Sequence, residues 1–415
     1  MLPVAAGCEG ASVEGEQAGE VESTQQPIYN GVKVASLANA GPLGVPVLNM
    51  GCSAVVYSKY WLITAAHCFG PSADPQGDWV YWNTDVPGGL YATGLQTSPE
   101  NQGGTLNVLA AFRNPKFSQD TALVLLDPKS SGAYLPAIWS YTGNRNTNGH
   151  LVIYGSSNAS LSGKSVLAYG WGPTGEPDLT RGYKTVGLWP SSEYYSGLPY
   201  NNGGTNCPGD SGGPDFWWDG GGMQLTGIHA RVGCAQGASD LNNGAEAFRT
   251  WVKETAATVP MGQTVTSEQL SNDWSASNAS DYDPSTSYSS NSFPSSTPNR
   301  DVWLQTYLKT AGTVNRINMR ARCYNSDGKN FGKDYNNPSC VVNGFPAKYE
   351  VRVWNGSWNL SGTFNKQPDK FGVVSLPIPA VSNATAVRIT PVTLGKDING
   401  SYYFQLAELQ PANDL

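Results

Sequence analysis

The sequence predicts an all-β protein built as two β-rich blocks in series, and three observations carry this. Charged residues make up only 14% of the 415-residue chain, which holds 48 Gly, 13 Trp and 21 Tyr. That mixture favours strands and turns over helical bundles or disorder. Short apolar runs such as "VLNMGCSAVVYSKYWLITAAHC" and "TALVLLD" have the length of buried strands. Later segments, "VWLQTYL", "KYEVRVW" and "TAVRITPV", alternate in polarity between Asn, Gly, Asp and Ser turns, the pattern of an antiparallel sandwich. At roughly 150 residues per domain, the length allows two or three domains.

In chain order, residues 1–27 form a polar, acidic leader, "EGASVEGEQAGEVESTQQP", with little to bury, as in a tether or pro-segment. The first block, 28–257, ends in "AEAFRTWVKETAA", where Ala247, Phe248, Trp251 and Val252 lie near helical spacing and predict a terminal helix. A linker is expected at 258–265, within the Pro- and Gly-bearing "TVPMGQTVTSEQ". The second block, 266–415, repeats nothing in the first.

A net charge of −7 with no Lys/Arg-rich run offers no surface for neutralising phosphates, so nucleic acid is excluded as a partner. No apolar stretch reaches the roughly 18 residues that a membrane helix needs. No motif speaks to oligomeric state.

The seven cysteines form three sequence-local couples, Cys52 with Cys68, Cys207 with Cys234 and Cys323 with Cys340, leaving Cys8 alone. With three histidines and no CxxC, zinc is poorly supported and three disulfides formed in an oxidising compartment are expected. Each would contribute about 3 kcal/mol. Cys8, in "LPVAAGCEG", resembles the lipidated cysteine of a bacterial lipoprotein signal, although no basic region precedes it and its apolar run is short. A lipid anchor and a free thiol both stay open.

The stretch "NCPGDSGGP" sets Ser211 among glycines and prolines. A serine hydroxyl becomes a nucleophile only with a base in hydrogen-bond reach, usually a histidine oriented by a carboxylate. His67 follows an apolar strand beside Cys68, whereas His150 lies in the polar "GNRNTNGHLV"; His67 is the better base. Asp120 stands at the entry to "TALVLLD", while Asp127 closes that run beside Pro128 as a turn residue. Asp120 is favoured as the orienting acid.

"TAAHC", "DTALVLLD", "AYGWG" and "GDSGGP", in this order, resemble the chymotrypsin/trypsin family of serine proteases. The resemblance implies two packed β-barrels with the active site between them, and a catalytic triad of His67, Asp120 and Ser211 that needs no cofactor. It also implies an oxyanion hole from the backbone N–H groups of Gly209 and Ser211. "PIYNG" resembles the family's mature start, so the amine of Ile28, freed by proteolysis, would pair with Asp210. Pro27 before the cut departs from the family's Arg or Lys. The first two cysteine couples agree with the family's disulfides.

The same resemblance puts Thr205 at the floor of the specificity pocket, without the acid that selects Arg or Lys. His229 falls where glutamate-specific relatives carry histidine, with Arg231 nearby; Glu246 would favour a basic side chain instead, and His229 also reads as a packed strand residue.

From about Trp274 to Gln410 the chain resembles discoidin (coagulation factor 5/8 type C) domains and related galactose-binding-like modules. The resemblance implies a β-sandwich jelly roll with ligand loops at one end. Asp283, Thr286 and Glu408 match a structural calcium site in sugar-binding relatives, although Asp283 before Pro284 is also an ordinary turn starter. Phe293, Tyr324 and Phe331 are aromatics of the kind that stack on sugars, or core residues.

The expectation is a secreted or cell-surface endopeptidase acting on protein or peptide, targeted by a module for a glycan or surface ligand. The alternatives are an inactive protease-like scaffold that only binds, and an esterase, which lacks the GxSxG elbow.

Overall fold

The computed structural model describes residues 28, 31–36, 44–58, 60–69, 80–82, 90–95, 104–114, 119–127, 146, 150–172, 178–188, 194–199, 205–231, 240–258, 263–281, 286–324, 340–369 and 372–412.

The first block is two barrels. One sheet runs in the order Val47–Leu48, Tyr91–Leu95, Gly104–Arg113, Ala122–Leu126, Trp61–Thr64, Val55–Ser58, with Val80–Trp82 paired to Gly104–Arg113. Backbone bonds from Ala54 N to Pro46 O, 2.9 Å, and from Val56 N to Gly44 O, 2.8 Å, curl its two ends together. The second sheet runs Asp178–Leu188, Tyr194–Pro199, Asp240–Gly244, Met223–Arg231, Pro214–Trp218, Ser165–Gly170, and closes because Ser165–Gly170 also pairs with Asp178–Leu188. Val32–Ser36 adds to its outside through Asp178–Leu188.

The run "TALVLLD" is continuously apolar because Ala122–Leu126 is buried along its whole length. Strand side chains alternate sides. Val124 and Leu126 therefore enter the core of the first barrel with Leu62 and Val108. Leu123 and Leu125 join the cluster that reaches Tyr169, Phe216, Ile228 and the helix. Ala245–Thr258 is that helix, with Phe248, Trp251 and Val252 buried as the spacing predicts.

The second block is a β-sandwich. Its main sheet runs Thr264–Thr266, Leu304–Arg320, Val373–Thr393, Lys348–Trp354, Trp358–Phe364, and Glu408–Ala412 also pairs with Leu304–Arg320. Tyr349, Val351 and Val353 alternate into the core, where they meet Tyr288, Ile317, Phe404 and Leu406. The linker is shorter than the sequence indicates. Thr264 and Val265, read as linker residues, pair with Thr306 and Gln305, because this strand completes the edge of the main sheet.

The blocks touch. Val373 and Ala412 of the sandwich belong to the apolar cluster that holds Phe248, Trp251 and Val252, and the Lys309 ammonium lies 5.6 Å from the Tyr60 ring centroid. Disulfides Cys52–Cys68 and Cys323–Cys340 are present. Cys207 is disulfide-bonded; its expected partner Cys234, like Cys8, lies outside the described residues.

Candidate active site

Strand Trp61–Thr64 runs into a 3-10 turn, Ala66–Phe69, that carries His67. Its antiparallel neighbour pairs Thr64 with Ala122. Two residues beyond that pair on each strand, the register brings Asp120 to the His67 turn. The Asp120 carboxylate accepts from the His67 backbone N–H at 2.7 Å and meets His67 Nδ1 at 2.5 Å. With Nδ1–H donating, Nε2 carries the ring's lone pair and is the nitrogen that can act as a base. The second barrel reaches the pair as well, since the Asn243 amide donates to the Asp120 carbonyl.

The Ser211 turn is pressed against the same strand. Gly209 carbonyl accepts from Ser53 N at 3.2 Å and Ser53 Oγ at 2.9 Å, while the Thr64 hydroxyl donates to Ser53 O at 2.7 Å. Gly209 and Gly212 take φ of 89° and 82°, a left-handed region that only glycine enters freely. A Cβ on Gly212 would stand 2.0 Å from Thr64 Oγ1. The absence of a side chain there is what lets the Ser211 turn close on the strand that leads to His67.

Asp210, directly before Ser211, is fully buried. It accepts from Cys207 N at 2.7 Å, Gly172 N at 2.8 Å and Ile28 N at 3.0 Å. Burial pushes its carboxyl above the ordinary carboxylate range, against the pull of these bonds and of the His229 charge. Ile28 is itself buried and has φ 48°.

The residues expected at the specificity pocket take different places. Thr205 is buried. His229 is fully buried with Nδ1 3.1 Å from the Asp210 carbonyl oxygen and Nε2 2.9 Å from Asp215 Oδ1, so neither ring nitrogen is open to a substrate. The backbone of Arg231 pairs opposite Leu241. The Glu246 carboxylate accepts from Asn158 N at 2.9 Å and Ser157 Oγ at 3.0 Å, where it caps the short turn Asn158–Leu161.

Sequence reasoning missed a buried polar cluster behind Ser211. Lys184 Nζ lies 3.1 Å from Asp215 Oδ1 and 3.2 Å from Asn206 Oδ1. Asn242 donates to Asp215 Oδ2 at 3.0 Å and accepts from Asn206 at 3.3 Å. All are fully buried. Burial raises the Asp215 carboxyl, but Lys184 and His229 together hold it well below the ordinary range. The sequence carries no signal that pairs this lysine with this aspartate; the closure of the second barrel brings them together.

Cys52, His67 and Cys68 bring potential ligand atoms within 4.8 Å of one another. Both sulfurs are spent in the disulfide, so they are not thiolate ligands.

In the sandwich, Asp283 and Phe331 lie outside the described residues. Tyr288 pairs with Leu406. Glu408 is fully buried and pairs with Arg320 at the start of the strand Glu408–Ala412. The Thr286 hydroxyl donates to Asp281 Oδ2 at 2.8 Å. Phe293 is a core residue rather than an exposed platform, 4% accessible, with the Arg300 guanidinium 3.8 Å above it. Tyr324 is half-buried with Arg322 4.6 Å from its ring.

No curated protein matches the chain. Among solved structures it is similar to a mutant of human heparin binding protein (CAP37), 17% identical over 55% of this chain and 96% of that one, TM-score 0.38. It is also similar to chitosan-binding module 1 of a chitosanase/glucanase from Paenibacillus sp. IK-5, 18% identical over 37% of this chain and 96% of that one, TM-score 0.27. A third is a Clostridium perfringens module in complex with GalNAc-beta-1,3-galactose, 16% identical over 36% and 94%, TM-score 0.26. The family model described as Trypsin matches residues 24–252, more than half of the chain, and with its two barrels and its His67–Asp120 pair beside the Ser211 turn this chain belongs to the trypsin family.

Proposed function

We propose that the protein is a serine endopeptidase. The observation that carries the reading is the His67–Asp120 contact at 2.5 Å on a strand against which the Ser211 turn is locked. Ser211 Oγ attacks the scissile carbonyl carbon while His67 Nε2 takes its proton, and the proton is then delivered to the leaving amine. Asp120 fixes the ring's tautomer and stabilises the imidazolium. The N–H groups of Gly209 and Ser211 receive the oxyanion, a contribution of about 3–4 kcal/mol per donor to the barrier. Water then attacks the acyl-enzyme, again with His67 as base.

Cleavage before Ile28 would replace its amide at Asp210 with an ammonium. Thr205 gives the pocket an uncharged floor, without a carboxylate to select Arg or Lys. The disulfides suit an oxidising, extracellular setting. Among the described residues no helix is long and apolar enough to cross a membrane.

The sandwich is proposed to hold the enzyme near a glycan or another surface ligand, raising the local concentration of substrate. Asp283, Thr286 and Glu408 would hold a structural calcium there through hard oxygen donors.

The test uses a fluorophosphonate probe and casein. Labelling and turnover are expected in the native protein, with a loss on the order of 10⁶-fold in turnover for Ser211→Ala. Absence of labelling in the processed native protein would leave a binding scaffold, labelling without casein turnover would leave an esterase, and cleavage solely after Arg or Lys would reject the neutral pocket floor.

A further inference from the structure

His229 is bonded to the nucleophile's turn at three points. Its backbone N–H donates to Gly213 O at 2.9 Å, its carbonyl accepts from Gly212 N at 2.8 Å, and its ring Nδ1 lies 3.1 Å from the Asp210 carbonyl oxygen. The last contact matters most. The Asp210 carbonyl belongs to the peptide unit whose N–H is that of Ser211. In a planar amide the C=O and N–H point in opposite directions, so the two groups on this carbonyl, Gly213 N–H at 2.8 Å and the His229 ring, hold it inward and turn the Ser211 N–H outward. A hydrogen bond to the carbonyl also polarises the amide and makes its N–H a stronger donor.

Both ring nitrogens of His229 face oxygens that only accept. A peptide carbonyl has no proton to give. Asp215, 2.9 Å from Nε2, is ionised by its contact with the Lys184 ammonium 3.1 Å away; consistent with this, its carboxyl is held below the ordinary range against burial. A neutral imidazole would turn one of the two contacts into a lone-pair repulsion in a site with no exposure to solvent. Both contacts are satisfied together only when each ring nitrogen carries a proton. Lys184, on strand Asp178–Leu188, and Asp215, on strand Pro214–Trp218, are the charged groups facing its Nε2 side, and Asp210 is the acid on its Nδ1 side.

We propose that His229, held as an imidazolium by the buried Lys184–Asp215 pair, is a positioning residue that orients and polarises the Asp210–Ser211 peptide as an oxyanion donor. The role rests on the protease reading, but it differs from selection of an acidic substrate side chain by the same histidine.

p-Nitrophenyl acetate separates these roles because it offers no side chain to a specificity pocket. In the processed protein, His229→Gln is expected to lower kcat for this ester about 10- to 100-fold with KM nearly unchanged, a fraction of the loss seen when an oxyanion donor is removed. His229→Asn, whose amide nitrogen falls near the place of Nδ1, is expected to recover much of it. Unchanged kcat in His229→Gln would overturn the proposal, as would equal loss in both variants when each is correctly folded by circular dichroism. A second measurement does not depend on variants. With three histidines in the chain, ¹H–¹⁵N correlation spectra should show one ring keeping two nitrogen-bound protons near neutral pH, and a neutral tautomer at His229 would overturn the imidazolium. Failure of the native protein to label with fluorophosphonate, with the two-proton ring present, would instead reject the protease reading.

Discussion

Lys184 and Asp215 lie 3.1 Å apart with no exposure of either side chain. Such a pair costs desolvation on both sides, and removing one partner leaves the other charge stranded. Lys184→Met is therefore expected to destabilise the fold by about 3–5 kcal/mol, read from chemical denaturation. The pH dependence follows from the Asp215 carboxyl, which is depressed in the fold relative to its ordinary value of 3.8. Its contribution is fully present above that value and is lost as pH falls through the folded one. Asp215→Asn should flatten this acid limb of the stability curve; an unaltered limb would show that other carboxylates govern it. None of this was legible from the sequence, because one lysine in "YKTVGLW" and one aspartate after "GGP" read as ordinary strand and turn residues until the barrel brings them together. The His67–Asp120 contact was legible, since each residue flanks an apolar strand, and the structure makes those two strands neighbours in register.

At the scale of elements, the segment before the first barrel and the edge of the sandwich each carry a consequence. Ile28 has φ 48°, a conformation that costs a branched residue roughly 1–2 kcal/mol. That torsion exists only while the peptide bond to Pro27 is intact. Hydrolysis removes the torsion and sets an ammonium against Asp210, whose carboxyl burial holds above its ordinary range. In the intact chain a raised carboxyl keeps its proton where the unfolded chain has lost it, so stability falls as pH rises through that window. Cleaved Ser211→Ala protein should melt higher than intact Ser211→Ala protein, by a margin that widens as pH rises above 3.8. Equal melting temperatures across pH would reject the Ile28–Asp210 activation pair. In the sandwich, calcium held by the proposed Asp283, Thr286 and Glu408 should raise the melting temperature relative to protein treated with EDTA, with Glu408→Gln abolishing the shift. No shift in the native protein would remove calcium from the proposal. The strands of both blocks were legible from apolar runs and alternation. The strand Thr264–Thr266 was not, because its Pro- and Gly-bearing flank signals a linker and only the edge of the main sheet makes it a strand.

For the whole molecule, the decisive contact is the helix Ala245–Thr258 between the blocks. A flexible tether would let the sandwich act only through local concentration, whereas burial of Val373 and Ala412 in the same cluster as Phe248, Trp251 and Val252 fixes one block on the other. Burying an apolar side chain of this size contributes about 1.5–3 kcal/mol, enough to link the unfolding of the two. The native protein is therefore expected to show one calorimetric transition. Ala412 is fully buried at the end of the strand Glu408–Ala412, so Ala412→Asp places a carboxylate in the interface while touching little of the sandwich's own core. Two separated transitions and a larger radius of gyration in X-ray scattering are expected for this variant, with fluorophosphonate labelling of Ser211 retained. If the variant kept a single transition and the native radius, the interface would carry no coupling and the sandwich would act as a tethered module after all.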